Sequence, residues 1–154
     1  MHYVRFTCAV PGILHSAFAA KMQSTFCLEP PGFGDERKAV ADALTLGCIP
    51  VTFVRQAERR FWPHHWDDEW RAQTHVFLDF DEIEAGKIDV REALAAIPAA
   101  RVAAMRAAIG RYAWRIHYPY EQGVGPRPDG YDNVWRTIHE RATKDYVEEH
   151  DGQQ

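Results

Sequence analysis

Residues 24–54 read STFCLEPPGFGDERKAVADALTLGCIPVTFV, and this stretch contains the local signals that decide the fold. Its first part, Ser24–Pro30, is rich in strand-favouring residues and ends at consecutive prolines, which predicts a strand entering a turn. Ile49–Val54 predicts a second strand of the same kind. Between the two strands, apolar residues recur at helical spacing and predict a helix that ends at Gly47.

The order strand, glycine-containing loop, helix and strand is that of a βαβ unit, whose two strands run parallel. The rest of the chain adds a third strand at His75–Phe80 and helices at Ile13–Gln23, Val90–Ile97, Ala99–Ile116 and Asp132–Val147. Residues 55–75 predict a loop containing no more than one helical turn, and residues 118–129 predict a second loop. We therefore predict an α/β fold with a Rossmann-like parallel sheet and flanking helices. It forms a single domain over residues 1–147, followed by a polar tail at residues 148–154.

Composition and charge exclude several classes of protein. The chain has 154 residues and a net charge of −4, so it lacks the basic field that nucleic acid requires. No apolar run approaches the roughly 18 residues of a membrane helix, and we predict no membrane segment in this chain. The three cysteines form no CxxC pair, which predicts no zinc site. Cys27 and Cys48 lie inside apolar runs, which predicts that both are buried free thiols.

The loop at Pro30–Arg37 is the strongest candidate for a binding site. It follows the first predicted strand, and ligands of open parallel sheets bind beyond the carboxyl ends of the strands. Its glycines allow close approach of a ligand, and the N-terminus of the following helix, which Asp35 is expected to cap, attracts anions. Arg37, in the first helical turn, is positioned to bind a pyrophosphate through two hydrogen bonds.

Lys38 and Asp42 lie one helical turn apart, on the face opposite the apolar residues Val40 and Leu44. Asp42 has the chemistry to accept hydrogen bonds from ribose hydroxyls. The alternative is that Lys38 and Asp42 form only a surface ion pair, worth a few tenths of a kcal/mol. The residues alone leave both interpretations open.

Other clusters favour structural roles. We interpret His64 and His65 as part of a solvated aromatic loop in preference to a metal site. Tryptophans recur every four residues at Trp62, Trp66 and Trp70, a spacing that favours core packing over stacking on a sugar. The arginines of the long helix predict a solvated face; these are Arg101, Arg106, Arg111 and Arg115.

The quoted stretch resembles the signature of the exostosin family of glycosyltransferases. In that family an S-x-F-C-L-x-P-x-G strand and loop lead to a helix that opens with basic residues and ends in D-A/S-x-x-x-G-C-I-P-V. Here the matching segments are Ser24–Gly32, Arg37-Lys38, Asp42–Leu44 and Gly47–Val51. A second match, Ala96–Val102 followed by Met105-Arg106, is similar to the family's I-P-x-x-R-V helix. The resemblance covers roughly residues 15–145 and is greatest for the plant branch that contains xyloglucan galactosyltransferases.

The resemblance implies the C-terminal, donor-binding half of a GT-B glycosyltransferase. It implies a UDP-sugar donor and a glycan acceptor, on a cell-wall or matrix polysaccharide or glycoprotein. It also implies inverting transfer without a metal ion, and a Golgi location. By this resemblance Arg37 and Lys38 bind the donor diphosphate and Asp42 binds the ribose. The implied donor-pocket loop comprises Pro31, Gly32, Phe33, Gly34 and Asp35.

Two departures from the family pattern bear on these expectations. Glu36 stands where the plant branch has a hydroxyl residue, which brings a negative charge beside the expected diphosphate site. The acceptor-binding half and the membrane anchor of the family are missing, which predicts a fragment and leaves the catalytic base unassigned. The alternative functions are a truncated Rossmann-like module without transferase activity and a flavodoxin-like regulator. The regulator is disfavoured because the chain has no acidic cluster at the strand ends.

Overall fold

A computed structural model describes residues 13–32, 37–55, 65–118 and 130–151 of the chain. The N-terminal elements are α1 (Ile13–Gln23), β1 (Phe26–Glu29), α2 (Lys38–Thr45) and β2 (Ile49–Thr52). They are followed by α3 (Asp68–Thr74), β3 (Val76–Phe77), α4 (Phe80–Glu84) and α5 (Val90–Ala95). The C-terminal elements are α6 (Ala99–Tyr112), a 3₁₀ helix (Ala113–Ile116) and α7 (Gly130–Asp151).

The described strands form a parallel sheet in the order β1-β2-β3, which confirms the predicted α/β class and the βαβ unit. Phe26 pairs with Ile49, and Val51 pairs with Val76. The strands are shorter than predicted. β1 stops before Pro30, which has no N–H to donate to a ladder, and Asp79 ends β3 because its carboxylate caps α4.

Helix α2 crosses between β1 and β2 and packs through Val40, Ala43 and Leu44, which are all fully buried. The helix ends as predicted, because Gly47 has the left-handed φ of 77° that glycine adopts readily. The predicted start of α2, directly after a capping Asp35, is wrong by a few residues. The helix begins at Lys38, and the residue before it is Arg37, whose backbone is extended at φ −128° and ψ 121°. Arg37 thus occupies the capping position, and Asp35, which was expected there, lies outside the described residues.

A disulfide between Cys27 and Cys48 contradicts the predicted free thiols. Their Cα atoms lie 5.9 Å apart, within the usual range for a disulfide. The two residues are brought together because β1 and β2 pair in parallel, which places Cys27 opposite Pro50 and close to Cys48. The bond links β1 to the residue before β2, on either side of α2, and it packs against the buried Ala43 of that helix.

Two tryptophans anchor the main core. Trp66 and Trp70 are buried, and they pack with residues of α2, β2 and α6. The indole Nε1 of Trp66 donates to Thr74 Oγ1 at 2.9 Å, and the ring meets that of Trp70 edge-on at 6.5 Å between centroids. The prediction of core packing is confirmed for these two residues, and Trp62 lies outside the described residues.

The described part of residues 55–75 is more ordered than predicted, since Asp68–Thr74 forms the helix α3. His65 is also not solvated. Only 8% of its surface is exposed, and its Nε2 hydrogen-bonds to the Tyr118 hydroxyl. The loop predicted at residues 118–129 lies outside the described residues except for Tyr118. Helix α7 extends to Asp151, into the segment predicted as a polar tail.

Arg115 also departs from the predicted solvated face. Its guanidinium forms an ion pair with Asp67 at 2.6 Å and lies over the Trp70 ring, 5.8 Å from the centroid. Asp67 in turn caps α3 by accepting a hydrogen bond from the Trp70 amide at 2.8 Å. These contacts join α3 to the 3₁₀ helix that follows α6. The described side chains of Arg101, Arg106 and Arg111 are exposed, as predicted.

Asp67→Ala is expected to lower the free energy of unfolding by about 1 kcal/mol at pH 7, as loss of a helix cap usually does. Burial alone would raise the pKa of Asp67, but the Trp70 amide and Arg115 outweigh burial and hold that pKa below its ordinary value of 3.8. A depressed folded-state pKa stabilises the protein above the unfolded-state pKa. The difference between wild type and Asp67→Ala should therefore shrink as the pH falls below about 4.

Urea unfolding at pH 7 and pH 3 measures this difference. The matched control is Asp68→Ala, because the Asp68 side chain is 101% exposed and lies 3.5 Å from Arg71. It should change the stability by only a few tenths of a kcal/mol. Equal effects of the two variants at pH 7 would contradict the role given to Asp67.

Candidate functional site

The carboxyl end of β1 brings together the residues that the sequence places around a binding loop. β1 ends at Glu29, the chain continues through Pro30, Pro31 and Gly32, and it re-enters the described structure at Arg37. The remaining loop residues, Phe33, Gly34 and Asp35, lie outside the described residues. Arg37 is thus at the mouth of this loop, next to the N-terminus of α2.

The Arg37 side chain folds back over the loop. Its Nη1 donates a hydrogen bond to the Pro30 carbonyl, and its Nε lies 3.5 Å from the position that a Cβ on Gly32 would occupy. A Cβ there would thus make ordinary van der Waals contact with the guanidinium, which lies beside the Gly32 backbone. Since Nη1 uses only part of the donor capacity of a guanidinium, the group can bind an anion while it stays anchored.

Lys38 and Asp42 form the ion pair that the sequence offered as one alternative. The Lys38 side chain is 80% exposed, whereas that of Asp42 is 24% exposed. Such an exposed pair is worth a few tenths of a kcal/mol and dissociates easily. The pair is therefore compatible with a purely structural role and with a role in ligand binding. A phosphate could replace Asp42 as the partner of Lys38, and a hydroxyl group could replace Lys38 as the partner of Asp42.

Sequence reasoning missed a second ion pair at the same edge. Glu29 pairs with Lys21 of α1, and the Lys21 ammonium also donates to the Ala39 carbonyl in the first turn of α2, at 2.9 Å. The pair joins α1, β1 and α2 where they meet below the loop. The sequence contained one indication of this pair. Strand alternation places Glu29 on the same side of β1 as the buried Cys27, and a carboxylate on a buried face needs a charged or hydrogen-bonding partner.

The charges at this edge influence one another. Burial raises the pKa of Glu29, against the opposing effects of Lys21 and Arg37, and Asp42 raises it further. Glu29, Arg37 and Asp42 are thus within electrostatic range. Among the described residues, this edge holds three cationic and two anionic side chains: Lys21, Arg37, Lys38, Glu29 and Asp42.

An open cleft lies at the opposite end of β1. Thr25, which precedes β1, lines the cleft together with the α5–α6 connection around Ile97 and with Arg106 of α6. The cleft shares no lining residue with the charged residues at the carboxyl end of β1. Arg106 therefore offers an exposed arginine for comparison with Arg37.

The described residues contain no group of three or more histidine, cysteine or acidic side chains arranged to hold a metal ion. Across the same residues, none of the helices combines the length and the apolar character needed to cross a bilayer.

The fold and the charged edge define an α/β protein with a parallel sheet, flanking helices and basic side chains at the carboxyl end of its first strand. Sequence comparison relates the chain to plant glycosyltransferases. It is 31% identical over 97 residues to a probable xyloglucan galactosyltransferase, GT19, of Arabidopsis thaliana, which covers 63% of this chain and 22% of the relative. It is 34% identical over 108 residues to GT15, another probable xyloglucan galactosyltransferase of that plant, covering 70% of this chain and 22% of the relative.

A third relative differs in the sugar that its name records. The xyloglucan-specific galacturonosyltransferase 1 of Arabidopsis thaliana is 34% identical over 71 residues, which is 46% of this chain and 10% of that protein. The chain spans at most about a quarter of the length of these relatives. No protein-family model matches the chain, and no solved structure matches it significantly.

Proposed function

We propose that this chain binds the UDP-sugar donor of an inverting glycosyltransferase of the exostosin type, at the carboxyl edge of its sheet. The GT-B architecture and the Golgi location belong to the same proposal. In this account Arg37 and Lys38 bind the diphosphate and Asp42 binds the ribose. The loop at residues 31–35 lines the donor pocket. The acceptor is a glycan of the cell-wall polysaccharide type, as in the names of the relatives.

The observation that carries the proposal is the position of Arg37. Its guanidinium is anchored to the Pro30 carbonyl beside Gly32, at the N-terminus of α2 and at the end of a parallel strand. A diphosphate at this position would accept hydrogen bonds from Arg37 and interact favourably with the positive end of the helix dipole. Lys38 exchanges its ion pair with Asp42 for the phosphate, which frees Asp42 to accept from the ribose hydroxyls.

The Cys27–Cys48 disulfide supports a location along the secretory pathway, because disulfides persist in oxidising compartments. The relatives are plant xyloglucan glycosyltransferases by name, which suggests the Golgi for this chain as well.

Calorimetric titration of UDP into wild type and Arg37→Ala tests the proposal. We expect saturable binding to wild type and about a ten- to hundredfold higher Kd for the variant, because hydrogen bonds to charged groups are worth roughly 1.5–3 kcal/mol. The matched control is Arg106→Ala, which removes an exposed arginine at the other end of β1 and should leave the Kd unchanged. A chelator in the buffer should not alter the Kd, since the proposed site binds the diphosphate through side chains and the N-terminus of α2, without a metal ion.

The outcomes separate the proposal from its alternative. Absence of binding to wild type at millimolar UDP would refute donor recognition and favour a Rossmann-like module without transferase activity. Equal losses in Arg37→Ala and Arg106→Ala would show that UDP binds through unspecific attraction to positive charge.

A further inference from the structure

Glu29 is an unexpected residue at a site proposed to bind a diphosphate. It is the last residue of β1, and the carbonyl of the next residue, Pro30, is the group that anchors Arg37. Its side chain is only 5% exposed, so solvent screens its charge poorly. The family motif described above leaves this position open. A carboxylate here is thus a property of this chain and not of the motif.

The Glu29 carboxylate interacts with charged side chains from both α1 and α2. It pairs directly with Lys21 from α1, and it interacts electrostatically with Arg37 and Asp42 from the α2 side. Among the described side chains at this edge, Glu29 and Asp42 offset two of the three positive charges. A diphosphate approaching Arg37 is attracted by the cations and repelled by the buried Glu29 carboxylate.

We propose that Glu29 is an affinity-determining residue of the donor site, whose buried carboxylate weakens diphosphate binding and weakens it more for the UDP product than for the UDP-sugar donor. This inference rests on the proposed function. UDP carries more negative charge than a UDP-sugar at pH 8, because its terminal phosphate is not esterified and ionises near pH 6. Repulsion from a fixed carboxylate grows with that charge. Glu29 therefore favours release of the product after transfer.

The test is a titration of UDP and of UDP-galactose into wild type and Glu29→Gln at pH 8. Glutamine keeps the size of the side chain and an oxygen that accepts from Lys21, but it removes the charge. We expect the Kd of UDP to fall about tenfold and the Kd of UDP-galactose to fall less, about fivefold, because Coulomb repulsion scales with ligand charge. The matched control is Glu92→Gln on α5, where the same exchange at an exposed residue should change neither Kd.

A double variant, Lys21→Met with Glu29→Gln, separates charge from structure. It removes one positive and one negative charge from the pair, so the net charge of the edge equals that of wild type. We expect its UDP affinity to return to within about twofold of the wild-type value, because the net electrostatic attraction is restored. Thermal unfolding of each variant verifies that the titrations compare folded proteins.

The inference is overturned if wild type binds UDP and Glu29→Gln binds both ligands with unchanged or weaker affinity. It is also overturned if UDP and UDP-galactose gain equally. In each of these cases the proposed function stands, provided that Arg37→Ala loses UDP. If wild type binds neither ligand, the proposed function fails and this inference fails with it.

Discussion

Trp66→Ala is expected to lower the free energy of unfolding by about 3–5 kcal/mol, the usual range for removal of a buried tryptophan side chain. Trp66 is fully buried, and its ring meets Trp70 and His75 edge-on, at 6.5 and 5.3 Å between centroids. Truncation leaves a cavity between α2, α3 and α6 and removes the hydrogen bond to Thr74. Because small domains have only about 5–15 kcal/mol of stability, this variant should be close to unfolding.

Urea denaturation followed by circular dichroism measures the change. The matched control is Trp135→Ala on α7, where the tryptophan is 69% exposed. A surface substitution of this kind should change the stability by less than about 0.5 kcal/mol. If both variants lose the same stability, Trp66 is not the centre of the core as described.

Reduction of the Cys27–Cys48 disulfide is expected to destabilise the protein by about 2–4 kcal/mol. The bond spans 21 residues of sequence, and it restricts the unfolded chain around the whole α2 crossover. A reductant should therefore lower the Tm of wild type markedly. Since α2 carries Arg37 and Lys38 at its start, reduction should also weaken UDP binding, provided that the βαβ unit loosens before the rest of the fold.

Two variants make this prediction specific. The double variant Cys27→Ala with Cys48→Ala should have a lower Tm than wild type, and its Tm should not respond to reductant. Cys8→Ser should keep the full response, because Cys8 takes no part in this bond. A wild-type Tm that does not respond to reductant under conditions that reduce both cysteines would contradict a stabilising disulfide.

Local signals in the sequence were sufficient to predict the βαβ unit. The strand-favouring residues before Pro30, the apolar spacing at Val40 and Leu44, and the glycine at position 47 each act within a few residues. The helix Ile13–Gln23 was predicted with its observed bounds for the same reason. Parallel pairing then follows from the order of elements, because a helical crossover returns the chain in the same direction.

The features that sequence reasoning missed depend on contacts between residues far apart in the chain. The spacing of Cys27 and Cys48 carries no sign of a bond until β1 and β2 are paired in register. In the sequence, nothing distinguishes Arg115 from the exposed arginines before it. Its side chain is mostly buried because it pairs with Asp67, which lies far away in the sequence. The buried His65 hydrogen-bonds to Tyr118, which lies 53 residues away in the sequence.

The candidate site was predicted in part. The position of Arg37 beside the loop follows from the strand–loop–helix order, and the structure adds the anchor at Pro30. Lys21 was not assigned to the site because it belongs to a different helix, and Glu29 was considered only as a strand residue. The ligand roles of Arg37, Lys38 and Asp42 stay predictions, and so do those of the loop residues 31–35.

The central claim is that a nucleoside diphosphate binds at the carboxyl end of β1. The most direct measurement is a UDP titration of the ¹⁵N-labelled protein, followed by two-dimensional amide NMR. We predict that the amide resonances that shift are those of Glu29, Gly32 and Arg37–Asp42, with smaller shifts near Lys21. Shifts that cluster instead around Thr25, Ile97 and Arg106, at the amino end of the same strand, would contradict the account.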